Sequence, residues 1–315
     1  MSQSQNIYQV MRAWFPRLSL LLIPVWAFSY FGKISLIFDL LSNFKVQLLS
    51  VALAVVFLHF FFKNRMSLLW SVPLLMILSM ETGSWLIPRE NTTQKQRPLK
   101  VYLANVLGSN LRHQLLLNQI ERHEPDLVAL LEINDRWAKS LETLKPLYPY
   151  SELISREDNF GLSLFSKFEL NYVEIQYFSK NKVPSISAQI TPSENQTLQL
   201  LITHPVPPVS KRSFISRNGS LENMGDYLAQ ISFPKILLGD LNTAMWSPYY
   251  QTLENNAGLY NARKGFGICP TWPASALTKI PLDHCLLSSG LFTQQFKVLE
   301  SIGSDHLPLL IDILY

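Results

Sequence analysis

Only two cysteines, Cys269 and Cys285, occur in 315 residues. They match no metal-type spacing, so cysteine-ligated metal sites are excluded; two free, partly buried thiols are the expectation, and a disulfide between them stays open. Basic charge is scarce where a nucleic-acid clamp would need it. Residues 1–97 hold nine Lys/Arg against three Asp/Glu, a balance of +6, whereas residues 98–315 hold eighteen basic against twenty acidic side chains, a balance of −2. A domain that grips duplex DNA ordinarily carries a positive excess of its own. The basic composition therefore gives little support to a nucleic-acid partner. No internal repeat is evident, and no small-residue cleavage site follows the first apolar run, which argues against a cleaved signal peptide.

Apolar length is what the first third has instead. Three runs occur, LSLLLIPVWAFSYF (18–31), VQLLSVALAVVFLHFFF (46–62) and MSLLWSVPLLMILSM (66–80). A bilayer core takes roughly 20 apolar residues in a helix; the second run nearly suffices, and the others need flanking residues. Soluble helices would show a polar face, and these show almost none. Arg12 and Arg17 precede the first run and Lys63 and Arg65 separate the second from the third, so three spans place both groups on one side, with Lys33 and Lys45 on the other. Positive charge favours the cytoplasm. The expectation is an N-terminus inside and everything after Glu81 outside, in a membrane anchor at 1–87. The polar, proline-bounded stretch 88–97 reads as a linker. One catalytic-sized domain, 98–315, follows.

That domain alternates apolar β-type runs with fewer helical ones. Strands are expected at 99–106, 125–133, 161–167, 185–190, 198–204, 235–241, 282–288 and 307–314, and helices at 111–124 and 217–231. Many strands with few helices between them imply an α/β (α+β) fold of two packed mixed β-sheets flanked by helices. Polar residues recur at the strand ends: Asn105, Glu132, His204, Asp240 with Asn242, Asp283 with His284, and Asp305 with His306. Strand ends and loops at one edge of a scaffold are where reactive groups gather.

LEIN with Glu132, GDLN at 239–242, PLDHCLLS at 281–288 and GSDH at 303–306, in this order, resemble the endonuclease/exonuclease/phosphatase superfamily. The resemblance covers residues 98–315 and implies the four-layered sandwich of deoxyribonuclease I. It also implies a role for each motif residue. Glu132 follows the apolar run LVALL, where a hard cation relieves the conflict of a carboxylate in apolar surroundings. The family's matching Glu is a metal ligand. Asp305 would face the metal directly or through water, and Asn105 would help order the ligands. Asp240 and Asn242, two apart on extended backbone, project to one side and would hold the attacking water. His306 would be the general base, oriented by Asp283. His204 would stabilise the phosphate or protonate the leaving oxygen. Arg217 and Asn218 are candidates for phosphate contact.

The departures narrow the reading. His284 stands where many family nucleases have Tyr, and THPVPP replaces their Tyr-x-Pro-Asn loop. Such changes keep the hydrolytic core and put DNA in question. The pattern, with Trp246 and the TWPA stretch at 271–274, looks closer to the membrane-anchored bacterial branch. The resemblance thus implies a phosphodiesterase using Mg²⁺, or Mn²⁺ in its place, in a bacterial plasma membrane with the catalytic domain outside the cytoplasm. Its substrate would be a phosphate ester: a lipid headgroup, a nucleic acid or a small phosphodiester. The alternatives are an extracytoplasmic nuclease, a phosphomonoesterase and a catalytically silent scaffold.

Overall fold

The computed structural model of the chain describes residues 3–89, 97–194 and 196–315. The N-terminal segment forms α1 (Gln3–Ser19), α2 (Leu22–Phe28), α3 (Leu36–Ser42), α4 (Lys45–Phe61) and α5 (Arg65–Gly83). β1 (Leu99–Asn105), α6 (His113–His123), β2 (Leu127–Leu131), α7 (Asp135–Leu141), β3 (Tyr150–Ile154) and β4 (Leu162–Ser166) come next. They are followed by β5 (Asn171–Tyr177), β6 (Pro184–Ser193), β7 (Gln196–Thr203), α8 (Lys211–Ala229) and β8 (Lys235–Asp240). The chain closes with α9 (Pro248–Ala257), β9 (Leu259–Asn261), β10 (Asp283–Ser288), β11 (Phe292–Val298) and β12 (Leu309–Leu314).

The strands make two six-stranded mixed sheets, ordered β11-β12-β1-β2-β4-β3 and β5-β6-β7-β8-β10-β9. Alternation along each strand explains the packing. In β1, Leu99, Val101 and Leu103 join Ile186, Leu200, Ile236 and Leu238 in the core between the sheets. Tyr102 and Ala104 point the other way, to Leu116 and Ile120 of α6 and Trp137 and Leu141 of α7. On the far side, Leu201, Leu237 and Leu286 meet Leu221, Met224 and Leu228 of α8 and Leu253 of α9. Both faces of each sheet are covered, so the inner strands are almost continuously apolar. Four layers result, as the sequence predicts, and both cysteines are free.

Each sheet holds one central parallel pair. β1 runs parallel to β2 with Asn105 beside Leu131, and β7 runs parallel to β8 with Thr203 beside Gly239. Their carboxyl ends therefore point to the same edge of the sandwich, where the antiparallel β10 and β12 begin. That edge collects the polar residues.

Gln9–Phe28 and Arg65–Leu86 are long and apolar enough to cross a membrane, and α3 with α4, bent by 71° at residues 43–44, make a third if the pair is one span. These helices are not a detached bundle. Asp39 of α3 is fully buried, pairs with the buried Arg217 of α8 and accepts from Ser247 Oγ at 2.6 Å. Asn43 Oδ1 accepts the Ala244 N–H at 2.8 Å, and Gln47 Nε2 donates to the Lys279 carbonyl at 3.0 Å. Of the linker expected at 88–97, residues 90–96 lie outside the described residues. Pro88 packs on Gly265, and Arg89 stacks on Tyr260.

A buried guanidinium stripped of its carboxylate destabilises by about 3–5 kcal/mol. Asp39→Ala should therefore lower the melting temperature of the protein by several degrees, and an unchanged melting curve would show the contact to be dispensable.

Candidate active site

Two close backbone approaches shape the catalytic edge. A Cβ at Gly239 would lie 2.0 Å from the Thr203 carbonyl oxygen, and one at Gly161 would lie 1.8 Å from that of Ile133. Glycine is the residue that admits such contact. Immediately past β2 and β8 the chain turns sharply, with Glu132 at φ 65° and Asn242 at φ 52°. Left-handed backbone at non-glycine residues costs on the order of 1 kcal/mol or more and clusters at functional sites. Both are motif residues.

Hydrogen bonds fix what the turns place. Asn105 Nδ2 donates to Glu132 Oε1 at 2.8 Å, and the Gly108 N–H reaches Oε2 at 3.3 Å. The amide oxygen of Asn105 is taken by the Leu107 N–H, so Asn105 meets the carboxylates through its NH₂ and orients Glu132. Asp240 Oδ1 accepts the Asn242 N–H at 2.9 Å. Its Oδ2 faces three donors at longer range: Asn105 Nδ2 at 3.4 Å, His204 Nε2 at 3.4 Å and His306 Nε2 at 3.5 Å. His306 Nδ1 lies 2.8 Å from Asp283 Oδ2. That partner assigns the proton to Nδ1 and leaves Nε2 turned toward Asp240.

Around these groups lies a cleft of about 460 Å³ that gathers Glu132, His204, Asp240, Asn242, Asp305 and His306. Residues beside the motif carboxylates and histidines complete the wall. Trp272 donates to Asp305 Oδ2 at 3.1 Å, Phe160 packs on the His204 ring, and Ser304 Oγ ties the GSDH loop to the Asn105 carbonyl at 2.7 Å. Leu40 in the last turn of α3 and Asn43 at the break after it also line the cleft. No local pattern announces these last two, because Asn43 meets its partner Ala244 at a separation of 201 residues. His284 is a structural residue: fully buried, it lies 2.8 Å from the Thr243 carbonyl and 3.0 Å from Asn261 Nδ2, and burial drops its pKa to about 3.

Arg217 and Asn218 are not where the sequence reading puts them. The helix expected at 217–231 begins at Lys211, capped by Ser210, so both residues sit within its first two turns and are buried. Arg217 is fully engaged, with Asp39, with the Asn242 carbonyl at 3.0 Å and with Asn218 Oδ1 at 2.6 Å. Neither lines the cleft. Arg217 instead braces the Asn242 turn from behind. Arg263, also buried, does the same for β10 by donating to the Asp283 carbonyl.

The electrostatics follow the geometry. Burial disfavours a charged His306, but the carboxylates of Asp283, Asp240 and Asp305 outweigh it and raise the pKa to about 10. For Asp240 burial works upward, and His306, His204 and the Asn242 N–H overcome it, leaving about 2. His204 is raised in the same way by Asp240 against its own burial. Oxygen atoms of Asp240 and Asp283 and a nitrogen of His306 lie within 4.8 Å of one another, a grouping with metal-site dimensions. Its Asp283–His306 contact is, however, already a hydrogen bond. A hard cation suits oxygen donors, and Glu132 and Asp305 offer such oxygens in the same cleft. The residues present therefore fit a divalent cation of the Mg²⁺ type on that side.

The model of the Endonuclease/Exonuclease/phosphatase family matches residues 102–306. Among solved structures, TDP2 of D. rerio complexed with a single-strand DNA product is 18% identical, with 70% of this chain and 100% of that one covered and a TM-score of 0.60. The human Nocturnin catalytic domain is 20% identical over 69% of this chain and 93% of that one, with a TM-score of 0.57. A mannosyl-6-phosphatase of Bacteroides thetaiotaomicron is 15% identical over 69% and 100%, with a TM-score of 0.56. At these identities the likeness is one of fold. None of the curated proteins matches.

In the cation-free protein, Asp283→Asn removes the carboxylate bonded to His306. The imidazole titration followed by NMR should move down from about 10 toward the ordinary histidine value; an unmoved titration would mean that Asp283 does not control the ring.

Proposed function

This chain belongs to the endonuclease/exonuclease/phosphatase family of phosphoester hydrolases, and we propose that within it the protein is a membrane-anchored, divalent-metal-dependent phosphodiesterase. One observation carries the reading: the His306–Asp283 pair opens onto Asp240 in the same cleft as Glu132 and Asp305. A binding module would have no chemical need for all five.

The roles follow from the contacts. His306, its Nδ1–H given to Asp283, takes the proton of the attacking water at Nε2. Asp240 holds that water at the mouth of its Oδ2, and Asn242 fixes the Asp240 carboxylate through its backbone N–H. Asn105 aims Glu132. His204, buried beside Asp240, donates to charge that develops on the phosphoryl or leaving oxygen. Glu132 and Asp305 would hold Mg²⁺ or Mn²⁺, which when bound supplies positive charge opposite the phosphoryl oxygens and offsets part of the field that keeps His306 protonated.

The anchor reading draws support from the docking of the helices. Asp39 and Asn43, ahead of the second apolar run, and Gln47 at its start touch the catalytic domain at Arg217, Ala244 and Lys279. In this reading the start of the second span faces the catalytic domain, an arrangement that an odd number of spans gives. A three-span topology with the N-terminus in the cytoplasm and the catalytic domain outside satisfies this and the charge distribution. In this reading Leu40 and Asn43, which line the cleft, bring the membrane boundary close to the phosphate site. That favours a lipid headgroup phosphodiester as the substrate.

Full-length protein should hydrolyse a chromogenic phosphodiester only with a divalent cation present, and His306→Ala should reduce kcat by about 10²–10⁴. Undiminished turnover in that variant would exclude His306 as the base. A reporter fused after Tyr315 should be active only outside the cytoplasm, and cytosolic activity would overturn the topology.

A further inference from the structure

A second cavity of about 460 Å³ lies between the ends of α4 and α5 and the outer face of the catalytic domain, sharing no lining residue with the catalytic cleft. Three cations reach it: Lys45, Arg89 and Lys264. Lys45 is occupied, its Nζ 2.9 Å from Glu81 Oε2, and Glu81 also accepts from Trp26 and Tyr30. Arg89 and Lys264 are different. The Arg89 guanidinium stacks 3.9 Å from the centre of the Tyr260 ring, and Lys264 Nζ sits 4.6 Å from that of Trp85. Among the described residues neither makes an ion pair. Cation–π contacts hold both charges in place without neutralising them.

Two further observations point to an anionic occupant. Trp246 lines the cavity, and its indole N–H is buried and without an acceptor among the described residues. A buried donor with no acceptor is costly unless something fills the role. The opposing acid, Glu254, is mostly buried, accepts from the Tyr250 hydroxyl at 3.0 Å and has its pKa pushed by burial up to about 7. It therefore adds only part of a negative charge near neutrality.

Position selects the ligand. Lys45 opens α4, Trp85 lies in the turn directly after α5, and Tyr30, Trp246 and Tyr260 also line the cavity. Amphipathic aromatics beside basic groups at span ends mark the headgroup level of a bilayer. We propose that this cavity binds the phosphate of an anionic membrane phospholipid, with Arg89 and Lys264 on its phosphoryl oxygens and the Trp246 N–H as a third donor. The proposal rests on the membrane-anchor reading. It makes the bound lipid a fastener between anchor and catalytic domain, distinct from any substrate.

The test is native mass spectrometry of the detergent-solubilised full-length protein with phosphatidylglycerol, phosphatidylcholine or inorganic phosphate added. Phosphatidylglycerol should be retained at roughly tenfold lower concentration than phosphatidylcholine, and Arg89→Ala with Lys264→Ala should remove that preference. Trp246→Phe, which keeps the ring and deletes the donor, should weaken retention in part. Turnover of a soluble phosphodiester should be unchanged in these variants, showing an intact fold. Equal retention of the two lipids, full retention by the double variant, or displacement of the lipid by millimolar inorganic phosphate would each overturn the proposal. A wild-type protein that selects phosphatidylglycerol but hydrolyses no phosphodiester would contradict the catalytic reading alone.

Discussion

The Asp240 carboxylate is the interaction on which the catalytic edge depends. It sits at the end of a buried strand, takes a backbone N–H on one oxygen and faces Asn105, His204 and His306 with the other. Asn105 belongs to the opposite sheet, so this one side chain joins the two halves of the sandwich at the point where their parallel pairs end. An acid buried so completely persists as an anion only because its donors outweigh desolvation. The cluster is therefore self-consistent: the histidines keep Asp240 ionised, and Asp240 with Asp283 keeps His306 charged.

Two buried arginines hold this cluster from behind. Arg217 grips the carbonyl of Asn242, and Arg263 that of Asp283. Arg217 extends the brace to Asp39, outside the catalytic sandwich altogether. A buried ion pair is weak evidence for stability but strong evidence for a fixed arrangement, since removing one partner strands the other. In this protein the arrangement it fixes is the seat of the N-terminal helices against the active site, with Leu40 and Asn43 brought into the cleft wall. The N-terminal segment is thus part of the site's architecture.

The sequence discloses the fold where burial is two-sided. All eight strands expected from apolar runs are interior strands, whereas β3, β5, β9 and β11, which it does not disclose, are the four sheet edges. Their patterns mix exposed and half-buried residues, as in NYVEIQY of β5, because an edge strand has one neighbour and a wet flank. The site is legible to the extent that motif residues carry it, since Glu132, Asp240, Asp283 and His306 sit at the ends of those same interior strands. Arg217 eludes a sequence reading because its meaning lies in Asp39, a residue 178 positions earlier. An exposed-looking polar helix start, KRSFISRN, conceals a buried arginine when the burying surface comes from a distant segment.

The central claim is that water, activated by His306, attacks phosphorus directly. The most direct measurement is the stereochemical course at phosphorus, using a chiral phosphorothioate diester hydrolysed in isotopically labelled water. The account predicts a single inversion of configuration. Net retention would signify two displacements through a covalent phosphoryl-enzyme, with His306 as nucleophile instead of base, and would contradict it.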